Sequence, residues 1–285
     1  MQEILPQIYI ETGYPGVTLG AINWIHGLVL IDAPFRQEDI RSWRSALLNL
    51  GGGVDRLLVN LDSHLDRTLG VRLMDCTVVG HEQIAQVYRS RPLTFKAQPS
   101  DSGAEWELYE NLGSVRWAPP EITFTDQLHI NWDPSPLVLE HHPGCCPAAI
   151  WAILPEHGAI FIGDAVTSGQ PPFLSLADIP TWLATLDTLI TKYANFIFIS
   201  GRGGVIRSDQ VRQQIKWLQK VDQSLEKLAQ KGARPEDTFS LVSKLIGELP
   251  SDRELANLYE RRLASGLALY YMRHYGGNLS EIADE

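Results

Sequence analysis

The sequence of 285 residues has few cysteines, no excess of positive charge and no long apolar run. Its three cysteines include the adjacent pair Cys145 and Cys146, and this odd set is unlike the disulfide framework of a secreted domain. The formal net charge of -10 is unsuited to wrapping a phosphate backbone, so we expect no nucleic-acid partner. No signal-peptide pattern opens the chain, and no apolar run would span a bilayer. These absences predict a soluble, cytoplasmic protein with no membrane partner.

Buried strands alternate with helices along the first part of the chain. We predict strands over residues 4–10 and 20–31, a helix over residues 37–50 and a buried strand over residues 56–59. A helix between two buried strands makes a βαβ unit, which needs a parallel sheet. With 44% hydrophobic residues the chain can bury a large core, as one large domain or two fused small ones. The pattern predicts an α/β fold.

The stretch that follows the strand at residues 56–59 is rich in side chains that can do chemistry. Residues 59–70 read V-N-L-D-S-H-L-D-R-T-L-G, in which Asp62, His64 and Asp66 alternate before Arg67. Loops at the carboxyl ends of strands are where α/β folds place their sites, because the rigid sheet holds the polar side chains that the loop presents. We therefore place a candidate functional site at this strand end.

Three later stretches carry a thiol, a carboxylate or a guanidinium at a turn or a strand end. Residues 140–149 read E-H-H-P-G-C-C-P-A-A, so that Cys145 follows a proline-glycine turn. A hairpin over residues 150–164 runs into A-I-F-I-G-D-A-V, with Asp164 directly after its second strand. A buried strand then leads into the glycine-rich turn S-G-R-G-G, which contains Arg202. All four stretches lie in the first three quarters of the chain.

These stretches resemble the metal-binding motifs of the metallo-β-lactamase superfamily. In the first, Asp62, His64, Asp66, Arg67 and Gly70 stand at the five defined positions of the H-x-H-x-D-H-x-x-G signature, with Asp62 and Arg67 replacing two of its three histidines. Cys145 stands where the P-G-H-[ST]-x-G loop has a ligand histidine, Asp164 matches the carboxylate that bridges two metals, and Arg202 takes the place of the final histidine. The resemblance implies an αββα sandwich of two mixed sheets with helices outside over residues 1–205. Residues 206–285 would be a C-terminal helical extension packed on it.

The resemblance also implies which side chains would hold metal. The first metal site would use Asp62, His64 and Cys145, since a thiolate can bind zinc. The second would use Asp66, Arg67, Asp164 and Arg202. A guanidinium stays protonated and has only donors, so it cannot be a ligand, and we expect no two-metal site. The two arginines would instead supply the positive charges of the missing ion. The candidate ligands for either no metal or one zinc are then Asp62, His64, Cys145 and Asp164.

Charge counting leaves the first metal site undecided. Zinc would balance the anionic Asp62 and Cys145 around a neutral His64, with an open position for water as in catalytic zinc sites. Without metal, a protonated His64 and a neutral thiol would balance as well. A guanidinium beside the site would compete for Asp62 and repel a cation, which favours the interpretation without a tightly bound metal.

Three functions remain open on these residues, and whether the protein is an enzyme is one of the open questions. The first is a small-ligand-binding or regulatory module that lacks two-metal hydrolysis and binds a small anionic or acidic molecule in a pocket with Asp66, Arg67 and Arg202. The second is a hydrolase of an ester, thioester, lactone or phosphoester that uses one zinc or an unusual metal. The third is redox chemistry at Cys145, because nearby cations favour a thiolate. Loops and terminal additions set the substrate in this superfamily, so the sequence does not identify it.

Several other polar residues have an ordinary structural interpretation beside a functional one. Asp32 closes the second strand and forms either an Asx turn or part of the site, as an acidic residue at this point does in the superfamily. We interpret His26 and His129 as strand residues, and His81 as a surface or capping residue at a strand-to-helix turn.

The last quarter of the chain is predicted to be helical. One helix covers residues 209–231, and a second follows a capping-box pattern at Ser251 and Glu254 and ends at Gly276 and Gly277. These helices pack on the core, cover the pocket mouth or form the face of a homodimer, and core packing is the interpretation that we favour.

Overall fold

The computed structural model of the protein describes residues 1–92, 94–96, 102–110, 112, 114–249 and 252–276. The strands of its first half are β1 (Gln2–Leu5), β2 (Ile8–Glu11), β3 (Leu19–Asn23), β4 (Gly27–Ile31), β5 (Asp55–Val59), β6 (Thr77–His81), β7 (Thr94–Lys96), β8 (Ser114–Arg116) and β9 (Ile122–Phe124). Those of its second half are β10 (Gln127–Ile130), β11 (Leu137–His141), β12 (Ile150–Leu154), β13 (Ala159–Gly163), β14 (Ile197–Ser200) and β15 (Gly204–Ile206).

The strands form two mixed sheets and a small hairpin. The first sheet has seven strands in the order β1-β2-β3-β4-β5-β6-β9, antiparallel from β1 to β4 and parallel from β4 onwards. The second has six strands in chain order from β10 to β15, of which β13 and β14 are parallel. The hairpin pairs β7 with β8. Because parallel neighbours end at the same edge, the loops after β4 and β5 are adjacent, as are those after β13 and β14.

Helices connect and cover the sheets. They are α1 (Gln37–Leu48), α2 (Leu65–Thr68), α3 (Val71–Met74), α4 (Glu82–Ser90), α5 (Ile179–Lys192), α6 (Ser208–Gln230), α7 (Val242–Ile246) and α8 (Ala256–Tyr275). In α1 the residues Ile40, Trp43 and Leu47 recur at helical spacing and are buried, which fixes the face that it turns to the sheet. In α5 the side chain of Asp178 accepts the backbone N–H of Thr181 and so caps the first turn.

The two sheets pack face to face, with helices on both outer faces. Ile31 and Val59 of the first sheet share one buried core with Leu139 and Phe161 of the second. The outer face of the first sheet packs on α1 and α3, and that of the second packs on α5, α6 and α8. The layers are therefore helix, sheet, sheet and helix, as in the predicted αββα sandwich. Loops from both sheets can contribute side chains to one site.

The first two predicted strands are each divided by a turn, so the prediction of two unbroken strands is wrong. Residues 4–10 fall into β1 and β2, because Pro6 has no backbone N–H for the ladder and Gln7 has a φ of 67°. Residues 20–31 form the antiparallel hairpin of β3 and β4. Ile25 lies at its turn and is 88% exposed, which is why the apolar pattern runs on without a break in the sequence.

Residues 91–111, whose sequence mixes Pro, Ser, Asp and Gly without periodicity, contain regular structure. The strand β7 lies in it, and a 3-10 helix over Glu105–Leu108 buries Glu105 and Trp106. Oδ1 of Asp66 accepts the backbone N–H of Trp106 at 2.8 Å, so a side chain distant in sequence holds the start of this short helix. Residues 93, 97–101 and 111 lie outside the described part of the chain.

The C-terminal helices lie against the second sheet. Leu218 of α6 and Leu267 of α8 belong to its outer core, and Tyr270 and Tyr271 are buried there, which agrees with the favoured interpretation of core packing. Ser251 and Gly277, from the predicted capping box and stop signal, lie outside the described residues. No described helix combines the length and the apolar character that crossing a membrane requires.

Candidate functional site, a buried arginine cluster

Loops from both sheets meet in a buried group of charged side chains, which we call the arginine cluster. Asp32 follows β4, Asp62 lies in the loop after β5, Asp164 follows β13 and Arg202 lies in the turn after β14. The cluster consists of five carboxylates and three guanidiniums, each at most 6% exposed, namely Asp32, Asp62, Asp66, Glu105, Asp164, Arg67, Arg202 and Arg262. Charges are tolerated at this depth only when they are paired, so each contact within the cluster matters for folding.

Arg67 lies among three carboxylates. Its Nη1 donates to Oδ2 of Asp32 at 3.3 Å, its Nη2 donates to Oδ1 of Asp164, and its Nε lies 3.4 Å from Oδ1 of Asp62. A Cβ placed on Gly201 would lie 2.8 Å from Nη1 of Arg67, so the glycine of the S-G-R-G-G turn makes room for this guanidinium. Arg67 is therefore locked in the interior and has no exposed side-chain surface.

Arg202 forms a second centre on the other side of Asp164. Its Nε donates to Oδ2 of Asp164 at 3.0 Å, and its Nη1 donates to Oδ2 of Asp66 at 2.9 Å and to Oε2 of Glu105 at 2.7 Å. Its Nη2 donates to Nδ1 of His64 at 2.9 Å. Asp164 thus joins the two arginines, one on each of its oxygens.

His64 is held as a neutral acceptor. A guanidinium only donates, so Nδ1 of His64 accepts from Arg202, and it also accepts the backbone N–H of Asp66 at 3.3 Å. Burial, reinforced by the charge of Arg202, lowers the pKa of His64 well below its usual value. We therefore assign its proton to Nε2. The expectation of a protonated His64 in a site without metal is wrong, because the neighbouring guanidinium disfavours a second positive charge.

The carboxylates of the cluster differ in their protonation. Burial raises the pKa of Asp32 to about 7, although the charge of Arg67 opposes this. Burial and then the charge of Glu105 raise the pKa of Asp66 to about 7. Burial alone would raise the pKa of Glu105 as well, but Arg202 and Arg262 outweigh it and lower that pKa to about 2. With Asp32 and Asp66 protonated near neutral pH, the three remaining carboxylates carry about as much charge as the three guanidiniums.

Asp32 belongs to the cluster instead of forming an Asx turn. Its Oδ1 accepts the backbone N–H of Leu61 at 3.0 Å, and its Oδ2 accepts from Arg67. Its backbone has a φ of 58°, a left-handed conformation that Asp tolerates better than most residues. Of the two interpretations of Asp32, the structure therefore shows the one in which it contributes to the site.

Two members of the cluster lie outside every motif found in the sequence. Glu105 comes from the 3-10 helix that Asp66 holds, and Arg262 comes from α8. Glu105 sits in a stretch without periodicity, and nothing in it signals a buried carboxylate. Arg262 does leave a signal, because it lies between the buried Tyr259 and Leu263 on the core side of its helix, where an unpaired charge would not be tolerated.

A cavity of about 230 Å³ lies beside the cluster. The four candidate metal ligands all line it, namely Asp62, His64, Cys145 and Asp164. Of the three residues predicted to form the pocket, Asp66 and Arg67 have no exposed side-chain surface and are not part of this lining. Arg202 lines a separate cavity of about 410 Å³ together with Glu105. Among the described residues that line the first cavity, the one with a positive charge is Arg91.

Several donor atoms of the candidate ligands are already engaged within the protein. Nδ1 of His64 accepts from Arg202, and each oxygen of Asp164 is paired with a guanidinium. Oδ1 of Asp62 accepts the backbone N–H of His64 at 2.8 Å. Across the described residues, no three His, Cys, Asp or Glu side chains are grouped so that they could hold a metal ion. The residues present therefore do not fit a divalent ion, because arginine nitrogens lie against the atoms that would bind it.

Several other histidines occupy structural positions. His81 caps α4 by accepting the backbone N–H of Gln83 and stacks on His141 at 3.9 Å; it is 2% exposed, so the surface interpretation is wrong and the capping one is right. His26 lies in the turn between β3 and β4 and not in a strand, whereas His129 lies in β10 as predicted. The hydrogen bond with Cys145, together with burial, holds the pKa of Cys146 well above its usual value.

Comparison with solved structures shows that the chain has the metallo-β-lactamase fold. A metallo-beta-lactamase family protein from Thermus thermophilus matches with a TM-score of 0.62 and 20% identity over 96% of this chain and 95% of that one. A metallo-beta-lactamase from Pontibacter korlensis matches with a TM-score of 0.61 and 17% identity over 76% of this chain and 97% of that one.

A larger protein shares the same fold. The stereoselective inverting sec-alkylsulfatase from a Pseudomonas species matches 99% of this chain with a TM-score of 0.66 and 17% identity, but the chain spans only 51% of its length. Comparison of the sequence with family models and with curated proteins finds no match. The predicted fold is thus confirmed, and at these identities the likeness concerns the fold alone.

Proposed function

We propose that this protein uses the metallo-β-lactamase fold to bind a small molecule and lacks two-metal hydrolysis. One observation carries the proposal: Arg67 and Arg202 engage both oxygens of Asp164 while Arg202 also engages Nδ1 of His64. His64 and Asp164 are two of the residues that the resemblance assigns to metal binding. Guanidiniums supply the positive charge of the ions but have no coordination position for a water nucleophile.

The arginine cluster resists replacement by metal. Removing one partner from a buried ion pair costs about 3–5 kcal/mol, because the other charge stays buried without compensation. A metal ion would have to displace Arg202 from three carboxylates and a histidine at once. We therefore propose that the site is permanently eroded and that the cluster now serves as a rigid wall of the adjacent cavity.

We propose that the protein instead binds a small anionic or acidic molecule, as a ligand-binding or regulatory module. Arg67 and Arg202 are buried and paired with carboxylates of the cluster, so the ligand contacts other groups of the cavity. Dimer formation through the C-terminal helices α6 and α8 stays a prediction, and light scattering of the purified protein tests it. Activation of Cys145 for redox chemistry also stays a prediction, which rates of thiol alkylation across pH test.

A hydrolase with one zinc is the second candidate, because Asp62, His64 and Cys145 all line the same cavity. For this candidate His64 would have to bind metal through one ring nitrogen. Its Nδ1 already accepts from Arg202, and its Nε2 carries the proton in this hydrogen-bond pattern. Zinc binding therefore requires that Arg202 leave His64, which the three carboxylate partners of Arg202 oppose.

Metal analysis of protein purified without chelator separates the two candidates. We expect no stoichiometric zinc and no change in melting temperature on adding either EDTA or zinc, because guanidiniums already engage Nδ1 of His64 and both oxygens of Asp164. Cys145→Ala and Cys76→Ala form a matched pair, since Cys76 lies outside the cavity lining. About one zinc per chain that is lost in Cys145→Ala and kept in Cys76→Ala would refute the proposal and support the hydrolase.

A further inference from the structure

Two residues that line the 230 Å³ cavity carry a buried N–H group without an acceptor in the described part of the chain. They are Arg91, through Nη1, and Trp106, through Nε1. Buried donors are almost always paired, so two unpaired donors in one cavity call for an explanation. The indoles of Trp24, Trp43 and Trp151 also lack an acceptor in the described residues but line none of the cavities described above, whereas Trp106 both packs in a core cluster and lines this cavity.

Arg91 differs from the three arginines of the cluster. No carboxylate in the described residues pairs with it, and its guanidinium lies over the rings of Trp117, at 4.9 Å, and Tyr88, at 5.5 Å. The residue is half-buried, and burial lowers the pKa of its guanidinium. The aromatic faces hold the side chain in place while Nη1 keeps its hydrogen-bonding capacity. A fixed guanidinium without a counter-ion is suited to binding an anion.

The rest of the lining agrees with a ligand that has a polar head and an apolar body. The hydroxyl groups of Ser63 and Ser175 and the Nε2–H of His64 add further donors, whereas the hydroxyl of Ser102 already donates to Oε1 of Glu107. Leu65, Phe173 and Leu176 supply apolar surface. The volume is below the range of about 300–1,000 Å³ that is typical of pockets for drug-sized ligands, so the ligand is small.

The two acidic residues in the lining do not exclude an anion. Asp62 lies 3.4 Å from Nε of Arg67, and Asp164 is paired with both Arg67 and Arg202. Their charges are therefore compensated from within the cluster. Among the described residues that line the cavity, Arg91 is left as the uncompensated charge.

We infer that this cavity binds a small organic carboxylate with a short apolar body, recognised by the N–H groups of Arg91 and Trp106. The inference rests on the proposed function and adds to it the chemical class of the ligand and the residues that select it. The carboxylate accepts from both N–H groups, and the apolar body lies against Leu65 and Phe173.

Binding of phenylacetate and of its neutral counterpart phenylacetamide tests the inference, measured by calorimetry and ligand-observed NMR on EDTA-treated full-length protein. We expect phenylacetate to bind at least about tenfold more tightly than the amide, because the charge-assisted hydrogen bonds need an anion. Arg91→Gln should weaken phenylacetate binding at least about tenfold, and Trp106→Phe, which keeps the ring, about threefold or more. Arg72→Gln, an exposed arginine in the lining of a neighbouring cavity, should change nothing.

Equal affinity for the acid and the amide, unchanged affinity in Arg91→Gln, or no saturable binding of phenylacetate would each overturn the inference. The comparison of acid with amide uses the unaltered protein, so it decides the question even where a variant folds poorly, which melting temperatures show. Repeating the titration after zinc loading separates this inference from the proposed function. Binding that appears only with zinc contradicts the proposed function. Binding to metal-free protein whose affinity is unchanged in Arg91→Gln contradicts the inference alone.

Discussion

Nη2 of Arg262 lies 2.9 Å from Oε1 of Glu105, and this contact connects the C-terminal helix α8 to the arginine cluster. The other oxygen of Glu105 accepts from Arg202. Arg262 also donates through Nε to the carbonyl of Gly103 and through Nη1 to Oε1 of Gln170. A helix near the end of the chain therefore fixes two loops next to the cavity, so the C-terminal region is part of the site's support.

This connection predicts that Arg262→Met destabilises the protein although methionine keeps much of the apolar stem. The free energy of unfolding should fall by about 3–5 kcal/mol, because Glu105 loses one of its two buried partners. Urea unfolding followed by circular dichroism measures the change. Arg253→Ala, at an exposed position just before α8, is the control and should leave stability nearly unchanged. A loss below about 1 kcal/mol in Arg262→Met would show that the pair does not hold the helix.

The pairing of Arg67 with Asp164 predicts strong coupling in a double-mutant cycle. Arg67→Met and Asp164→Asn should each lower the free energy of unfolding by several kcal/mol. In the double variant the decrease should be smaller than the sum of the two single decreases by at least about 1 kcal/mol. The reason is that the second substitution removes a charge that the first has left unpaired. Arg67→Met combined with Arg207→Ala, an exposed residue outside the cluster, should be additive. Additivity in the first pair would mean that the two side chains do not interact in solution.

Local strand and helix patterns predict the α/β class, whereas the layers of the fold and the central residues of the cluster follow from the resemblance of four stretches to the motifs of the superfamily. A buried strand followed by a charged residue places Asp164 and Arg202 at strand ends, and charge complementarity between arginines and carboxylates follows from their chemistry. Glu105 and Arg262 are missed because tertiary contacts position them. The protonation of His64 is also missed, since it depends on the burial and the guanidinium that only the folded chain provides.

The buried carboxylates predict that the protein is more stable at about pH 5 than at about pH 8. The pKa of Asp32 is about 7 in the folded protein, against 3.8 for an ordinary Asp, so the folded state binds the extra proton between these values. Unfolding then releases a proton, and the free energy of unfolding falls as the pH rises, by at most about 1.4 kcal/mol per pH unit for each such group. Asp66 behaves in the same way. Glu105 has the opposite sign, and its contribution is lost as the pH falls from 4.5 towards about 2.

Urea unfolding at a series of pH values measures this dependence. Asp32→Asn should reduce the loss of stability between about pH 5 and about pH 8, because its side chain does not titrate. Asp55→Asn, at an exposed position, is the control and should keep the wild-type slope. Stability that stays level or rises over this range would contradict the assignment of a protonated Asp32.

Replacing both central guanidiniums by imidazoles should return metal binding to the cluster. In the double variant Arg67→His/Arg202→His the oxygens of Asp66 and Asp164 lose their partners, and two nitrogen ligands take the positions of the matching histidines in the resembling motif. Without metal this variant leaves buried carboxylates uncompensated, so it should be strongly destabilised. Zinc at about a hundred times its dissociation constant should then restore about 2.7 kcal/mol, seen as a rise in melting temperature that the wild type does not show. Arg67→Gln/Arg202→Gln removes the same charges but adds no imidazole, so it should stay insensitive to zinc. An equal rise in melting temperature with zinc in both double variants would show that imidazole ligation is not the cause. No rise in the histidine variant would show that the guanidiniums do not stand where a metal ion would bind.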